Sequence, residues 1–229
     1  MRAVDGSTAG EAAKRVDGAG EGPGRLAAIA AAPLVAVSFL TVLPVPLPDT
    51  RARRSMGWAV ACFPLAGAAL GVGLAALDRV LSPWLSAAVA PALLLAALLL
   101  ATGALHLDGL MDSFDGLFGG RDPAGRLAIM RDSRVGSYGV AAAASVLLVE
   151  YGSLVSLPAD VRASALVVAL CLSRWAMAAA LWLFPAASSR GLAAGLKPQL
   201  RRTHGAVATV AAGAVAVGVA GWGGLALGG

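Results

Sequence analysis

Five stretches of this chain are each apolar for about 20 residues, the length an α-helix needs to cross the hydrocarbon core of a bilayer. They cover 56–77, 84–105, 136–157, 161–184 and 206–227. No soluble core takes up that much apolar sequence. The chain is 58% hydrophobic and 14% charged over 229 residues, against roughly 45–50% and about 25% in soluble domains. The surface it would present to water is built from Ala, Leu and Val, and lipid is the solvent that suits it. A sixth apolar run, 26–47, contains Pro33, Pro44 and Pro46. Proline removes backbone bonds that lipid does not replace. The expectation is an all-α, polytopic transmembrane bundle with about five full spans. The N-terminal run then forms a re-entrant segment or an additional apolar helix. Residues 26–229 read as one membrane-embedded domain. Residues 1–25, rich in Gly and charge, read as a disordered cytoplasmic tail.

The Lys and Arg residues fall between the apolar runs rather than on a stripe, so the net charge of +5 does not point to nucleic acid. Alternating loops place Arg51, Arg53, Arg54, Arg121, Arg126, Arg131, Arg134, Arg190, Lys197, Arg201 and Arg202 on one side. Only Arg79 and Arg162 fall on the other. The positive-inside rule assigns the rich side to the cytoplasm. Cys62 and Cys171 both lie inside apolar runs, which argues against a disulfide framework or a thiolate zinc site.

Acidic residues are scarce, yet Asp108, Asp112, Asp115, Asp122 and Asp132 gather in one segment at the cytoplasmic boundary. The expected active-site loop is 106–139. Asp108, Asp112 and Asp115 have i, i+4, i+7 spacing, which puts them within about 60° of one another on a helix. Three carboxylates on one stripe repel unless a cation sits among them, and hard oxygen ligands suit Mg²⁺ bridging to substrate phosphates. Arg121, Arg126, Arg131 and Arg134 follow at once, and Arg suits bidentate phosphate contacts. Carboxylates and arginines together at a membrane face fit phosphoryl or nucleotidyl transfer.

His106 stands at a span boundary, where phosphate or metal binding and interfacial hydrogen bonding are equally open. Arg174 lies inside a span, a costly position unless it is paired or faces a polar cavity; an inward role toward an Asp or a substrate phosphate is expected. Glu150 reads as snorkelling or pairing internally. Tyr138 sits beside the loop, placed either to stack on a base or to join an aromatic belt.

The string TGALHLDGLMDSFDGLFGGRDPAGRLAIMRDSRVGSYG resembles the signature region of the cobalamin synthases, the adenosylcobinamide-GDP ribazoletransferases. SFLTVLPVP from Ser38 and GWAVACFPLAGAALG from Gly57 agree, and the resemblance covers roughly residues 34–200. It implies a multi-pass, Mg²⁺-dependent phosphotransferase of the bacterial inner membrane, its active-site loop facing the cytoplasm. The implied substrates are adenosylcobinamide-GDP and α-ribazole or its 5′-phosphate. The implied products are adenosylcobalamin or its 5′-phosphate, with GMP released. A homo-oligomer is left open.

Carried onto this sequence, Asp108, Asp112 and Asp115 match the acidic motif and are the expected metal ligands. Asp132 is expected to complete the site or act as general base. Arg131, Ser133, Arg134, Gly136 and Tyr138, with His106 and Arg174, are the expected substrate contacts. The resemblance departs at the C-terminus. The family carries a motif of the form GG-x-TGD-x-x-GA, whereas this sequence reads GWGGLALGG there; truncation and a divergent member are both open, and if that motif supplies a carboxylate to the site, substrate binding with poor turnover is expected.

Two other classes compete. A CDP-alcohol phosphatidyltransferase would need DG-x-x-AR followed by G-x-x-x-D-x-x-x-D, and DGLMDSFDG does not reproduce it. A transporter would distribute polar groups through mid-membrane, while here, apart from Glu150 and Arg174, the spans are nearly free of charge.

Overall fold

The computed structural model describes residues 23–46, 49–189 and 191–227. The expected tail falls largely on residues 1–22, outside the described residues. All regular structure described is helical, in the order α1 (Pro23–Leu40), α2 (Asp49–Ala61), α3 (Phe63–Leu81), α4 (Val89–Thr102), α5 (Leu105–Gly119), α6 (Pro123–Ile129), α7 (Ser137–Ser156), α8 (Ala159–Leu183), α9 (Leu192–Leu196), a 3₁₀ turn (Lys197–Gln199) and α10 (Arg202–Leu227). The expected helical membrane bundle is present. Helices α3, α7, α8 and α10 are each long and apolar enough to cross a bilayer. The bent pair α4–α5 makes a fifth span if it is taken as one unit. The apolar part of α1, Leu26–Leu40, is shorter than a span, as the proline-bearing run suggested.

Two expected spans are revised. The run 56–77 is split, because Pro64 sits in the first turn of α3 and has no N–H to continue the bonding of α2. Cys62 closes α2 instead, donating from its N–H to the carbonyls of Trp58 and Ala59. The run 84–105 shrinks to the 14-residue α4, about 21 Å long against a hydrocarbon core of about 30 Å. Its end is set by Gly103 and Ala104, both left-handed at φ 58° and 55°. Ala104 N–H donates to Leu99 O at 2.8 Å, capping the helix, and the chain leaves at 87° as α5. Left-handed backbone is strained for a residue with a Cβ, so the corner at Ala104 is held by its surroundings. Val42 N–H bonds Ala101 O at 2.9 Å and pins the N-terminal segment against it.

Helices α3 and α8 form the spine of the bundle. A methyl group on Gly67 would overlap the Leu170 carbonyl, and one on Gly71 would lie 2.5 Å from the Val167 Cα. The two backbones therefore touch, the close approach that small residues permit in membranes. Leu74, Ala75, Leu94, Leu154, Leu166 and Leu170 form one core cluster around this crossing. A second cluster joins α1, α2, α3, α8 and α10 through Val35, Leu40, Val60, Phe63, Ala178 and Ala208.

At the far end of the spine Asp78 and Arg162 form a buried ion pair at 3.0 Å, their side chains 5% and 8% exposed. Ser82 Oγ donates to Asp78 at 2.8 Å, and Arg162 also donates to Leu157 O. Arg162 falls at the start of α8, on the side that the charge count leaves poor in basic residues. It is drawn inward, because Asp78 would otherwise be a buried charge with no counter-ion.

Gly71→Leu should therefore lose stability by about 1–3 kcal/mol or more, seen as a lower thermal midpoint in detergent. Gly73→Leu should leave it unchanged, since nothing lies within 4 Å of a Cβ at that position. Equal midpoints for the two variants would show that the helices are not in backbone contact.

Candidate active site

Helix α5 turns away from α4 and carries the acidic stripe across one end of the spans. Asp108 is exposed, Asp112 is partly covered and Asp115 is buried at 8%. Partial burial, then the charges of Asp108 and Asp115, push the Asp112 carboxyl up. The stripe predicted from spacing thus exists, and it repels itself.

Asp115 has a duty the spacing did not reveal. Its Oδ2 accepts from Gly136 N–H at 2.7 Å and its Oδ1 from Gly139 N–H at 2.8 Å. These are donors at the start of α7, which no preceding turn satisfies. Gly136, the N-cap, offers no side chain of its own for them. A carboxylate there also meets the positive end of the helix dipole. Both glycines are required by close approach: a Cβ on either would overlap the Asp115 carboxylate. The signal in the sequence was the pair Gly136 and Gly139 in RVGSYG, a helix start with bare N–H groups awaiting an acceptor.

The connecting segment is likewise pinned. Asp122 caps α6, accepting from Gly125 N–H at 2.7 Å. Arg131 donates to Ser188 Oγ at 2.5 Å, tying this segment to the loop after α8. Asp132 is bound by Arg134 through the guanidinium, at 2.6 Å for the ion pair, and through the Arg134 N–H at 3.0 Å. Those hydrogen bonds hold the Asp132 carboxyl down to about 2, and a carboxylate so acidic is a weak general base. Ser133 is exposed. Tyr138 is 51% exposed, its ring 5.6 Å from that of Phe118, which in turn lies 5.6 Å from Phe114.

The expected site residues therefore divide in two. Asp108, Asp112 and Asp115 lie on α5, Gly136 and Tyr138 at the start of α7, and Arg131, Asp132, Ser133 and Arg134 on the segment between α6 and α7. His106 and Arg174 lie elsewhere. His106 precedes Asp108 by two residues and so projects from the opposite side of the helix. Its Nε2 contacts Met177 Sδ of α8 at 3.1 Å, while Arg174 is buried within α8.

Among the described residues no three His, Cys, Asp or Glu side chains are grouped so as to hold a metal ion. With both Asp115 oxygens engaged by α7, the outward carboxylates are Asp108 and Asp112. Two carboxylates fit an ion that takes its remaining oxygens from phosphate and water, as Mg²⁺ commonly does.

Fold and site together define a polytopic helical membrane protein that presents an acid-rich helix and an arginine-rich segment at one end of its spans. The family model described as Cobalamin-5-phosphate synthase matches residues 32–228, and the chain belongs to that family. The adenosylcobinamide-GDP ribazoletransferase of Halalkalibacterium halodurans is 37% identical over 177 residues, 75% of this chain and 66% of the relative. Its counterpart in Desulfitobacterium hafniense is 38% identical over 175 residues, 74% of this chain and 68% of the relative. That of Roseiflexus sp. is 37% identical over 190 residues, 83% and 70% respectively. The chain thus spans about two thirds of the length of these curated relatives. No solved structure matches.

Asp115→Asn should lower stability by about 1–3 kcal/mol, because an amide cannot accept from both N–H groups as a carboxylate does. Gly136→Ala should act in the same direction. Ser113→Ala, which removes only a bond to the Gly109 carbonyl on the same helix, is the comparison. Thermal denaturation in detergent reads all three, and an Asp115→Asn midpoint equal to that of Ser113→Ala would refute the clamp.

Proposed function

We propose that this chain is an adenosylcobinamide-GDP ribazoletransferase. A hydroxyl of α-ribazole, or of α-ribazole 5′-phosphate, attacks the phosphorus that bears the cobinamide arm. The new P–O bond forms as the bond to GMP breaks. The hydroxyl loses its proton, and the products are adenosylcobalamin or its 5′-phosphate and GMP. The observation that carries this reading is the acidic face of α5. Asp108 and Asp112 project from it beside a helix start fixed by Asp115. The activity for which the relatives are named supports the substrates.

Asp108 and Asp112 would hold Mg²⁺. When bound, the ion supplies charge neutralisation on the diphosphate and its leaving oxygen. The chain's own residues do the rest. Asp115 keeps α5 and α7 in register. Arg131 and Arg134, both exposed, would meet phosphate oxygens, Arg134 by exchanging Asp132 for substrate. Tyr138 and its neighbouring phenyl rings offer a stacking surface for a base. The end carrying α5 also carries the basic segments 121–134 and 197–202. Arg162 at the opposite end is neutralised by Asp78. That asymmetry supports a cytoplasmic site in the bacterial inner membrane.

The test is GMP release from adenosylcobinamide-GDP in the presence of α-ribazole and Mg²⁺, with detection of a cobalamin product. Asp112→Asn and Asp108→Asn should each slow release on the order of 100-fold, with an unchanged thermal midpoint. Full activity in a folded Asp112→Asn protein would remove the acidic face from the reaction.

A further inference from the structure

The short helix α9 carries an apolar stripe with a gap at its centre. Leu192, Gly195 and Leu196 have i, i+3, i+4 spacing, so they share one face. Together with Phe39 of α1 and Met56 of α2 they line a cavity of about 570 Å³. Proteins hold small molecules in cavities of about 300–1,000 Å³. Leu196 is 5% exposed and lies at the floor, while Leu192 is 60% exposed and stands at the rim. A Cβ on Gly195 would meet nothing within 4 Å. The space between the two leucines is therefore open.

The lining decides what enters. Gln199 is the one polar side chain in it, and its amide nitrogen is already turned to the Gly195 carbonyl at 3.3 Å. A resident water needs two to four polar partners, so the cavity suits an apolar group. Its place narrows the choice. Helix α9 lies between the end of α8 and the start of α10, both of them spans, at the level where acyl chains meet headgroups. Arg201 and Arg202 follow Gln199 by two and three residues, within about 11 Å of chain. Both are exposed, and neither is paired with a carboxylate among the described residues. Lys197, by contrast, is spent on the Leu181 and Phe184 carbonyls. An apolar cavity beside two guanidiniums without counter-ions complements an amphiphile with an anionic head.

We propose that this cavity seats one acyl chain of an anionic phospholipid, drawn from the leaflet at this end of the spans, with the lipid phosphate held by Arg201 and Arg202. The chain fills the gap at Gly195 and braces α9 against α1 and α2. The site shares no residue with the acidic face of α5, and it does not depend on the reaction proposed there.

Purified full-length protein in a maltoside detergent is titrated with short-chain phosphatidylglycerol, with phosphatidylcholine of the same chains, and with α-ribazole, while the thermal midpoint is read. Phosphatidylglycerol should raise the midpoint at lower concentration than phosphatidylcholine does. Arg201→Gln and Arg202→Gln should each weaken the phosphatidylglycerol response about fivefold and leave that to phosphatidylcholine unchanged. Gly195→Phe, which puts a ring between the two leucines, should abolish the response to both lipids without lowering the midpoint of the lipid-free protein. Leu192→Glu, at the exposed rim, should weaken it as well, and it alone decides if Gly195→Phe proves unstable. Gly152→Leu, a position on α7 where a Cβ also meets nothing within 4 Å, should keep the whole response. The proposal is overturned if neither lipid moves the midpoint, if the two lipids act at equal concentration, or if the response survives in a folded Gly195→Phe protein or in Leu192→Glu. A rise with α-ribazole that Gly195→Phe removes would assign the cavity to the base of that molecule. A midpoint that rises with protein concentration and not with lipid would assign it to a second copy of the chain. Either result overturns the lipid site.

Discussion

A single carboxylate organises the working end of this protein. Asp115 joins the last turns of α5 to the first turn of α7 through two charge-assisted hydrogen bonds, which are stronger than neutral ones. The bonds reach across 21 and 24 residues, and they enclose the short helix α6 and the arginine-bearing turn. With that contact in place, α5 cannot rotate, and Asp108 and Asp112 are held on the outward side. Without it, the first N–H groups of α7 would lose their acceptor. One acid of the stripe serves the architecture, and the other two stay outside that contact.

The support for this end comes from the contact between α3 and α8. Glycines at 67 and 71 bring those backbones together, and the buried Asp78–Arg162 pair fixes their far ends. Lys197 Nζ donates to the Leu181 and Phe184 carbonyls and caps α8 at the near end. Trp175 Nε1 bonds Thr209 Oγ1 at 3.1 Å, bringing α10 alongside. The strain at Ala104 is sustained by this frame. A left-handed alanine costs roughly 1–3 kcal/mol, and here it turns an apolar helix into one that runs across the bundle's end.

Membership of the cobalamin-5-phosphate synthase family and the geometry bear on different questions. The family relation bears on which molecules meet at the site. The geometry divides duties among residues that a shared motif cannot separate. Asp108 and Asp112 face outward, Asp115 is structural, and Asp132 is held by Arg134 at low pKa. His106, embedded in the same motif, lies on the other side of α5, against Met177 of α8.

The sequence by itself determined the solvent and the class of fold, because spanning helices are specified by local sums of side-chain hydrophobicity. It also determined the acidic stripe, because helical spacing is local, and it marked Arg174 as an oddity by depth alone. What only the tertiary structure decided were partners distant in the chain. Hydropathy did not show that 56–77 would break at Pro64, or that 84–105 would turn at Gly103 and Ala104. A proline and a glycine in an apolar run are compatible with both a kinked span and a broken one. Nor could spacing tell which of three equivalent aspartates would cap α7, or that Arg162 would pair with Asp78, 84 residues earlier. Such pairings are settled by the close approach of backbones, and a charge takes whichever partner that approach brings within reach.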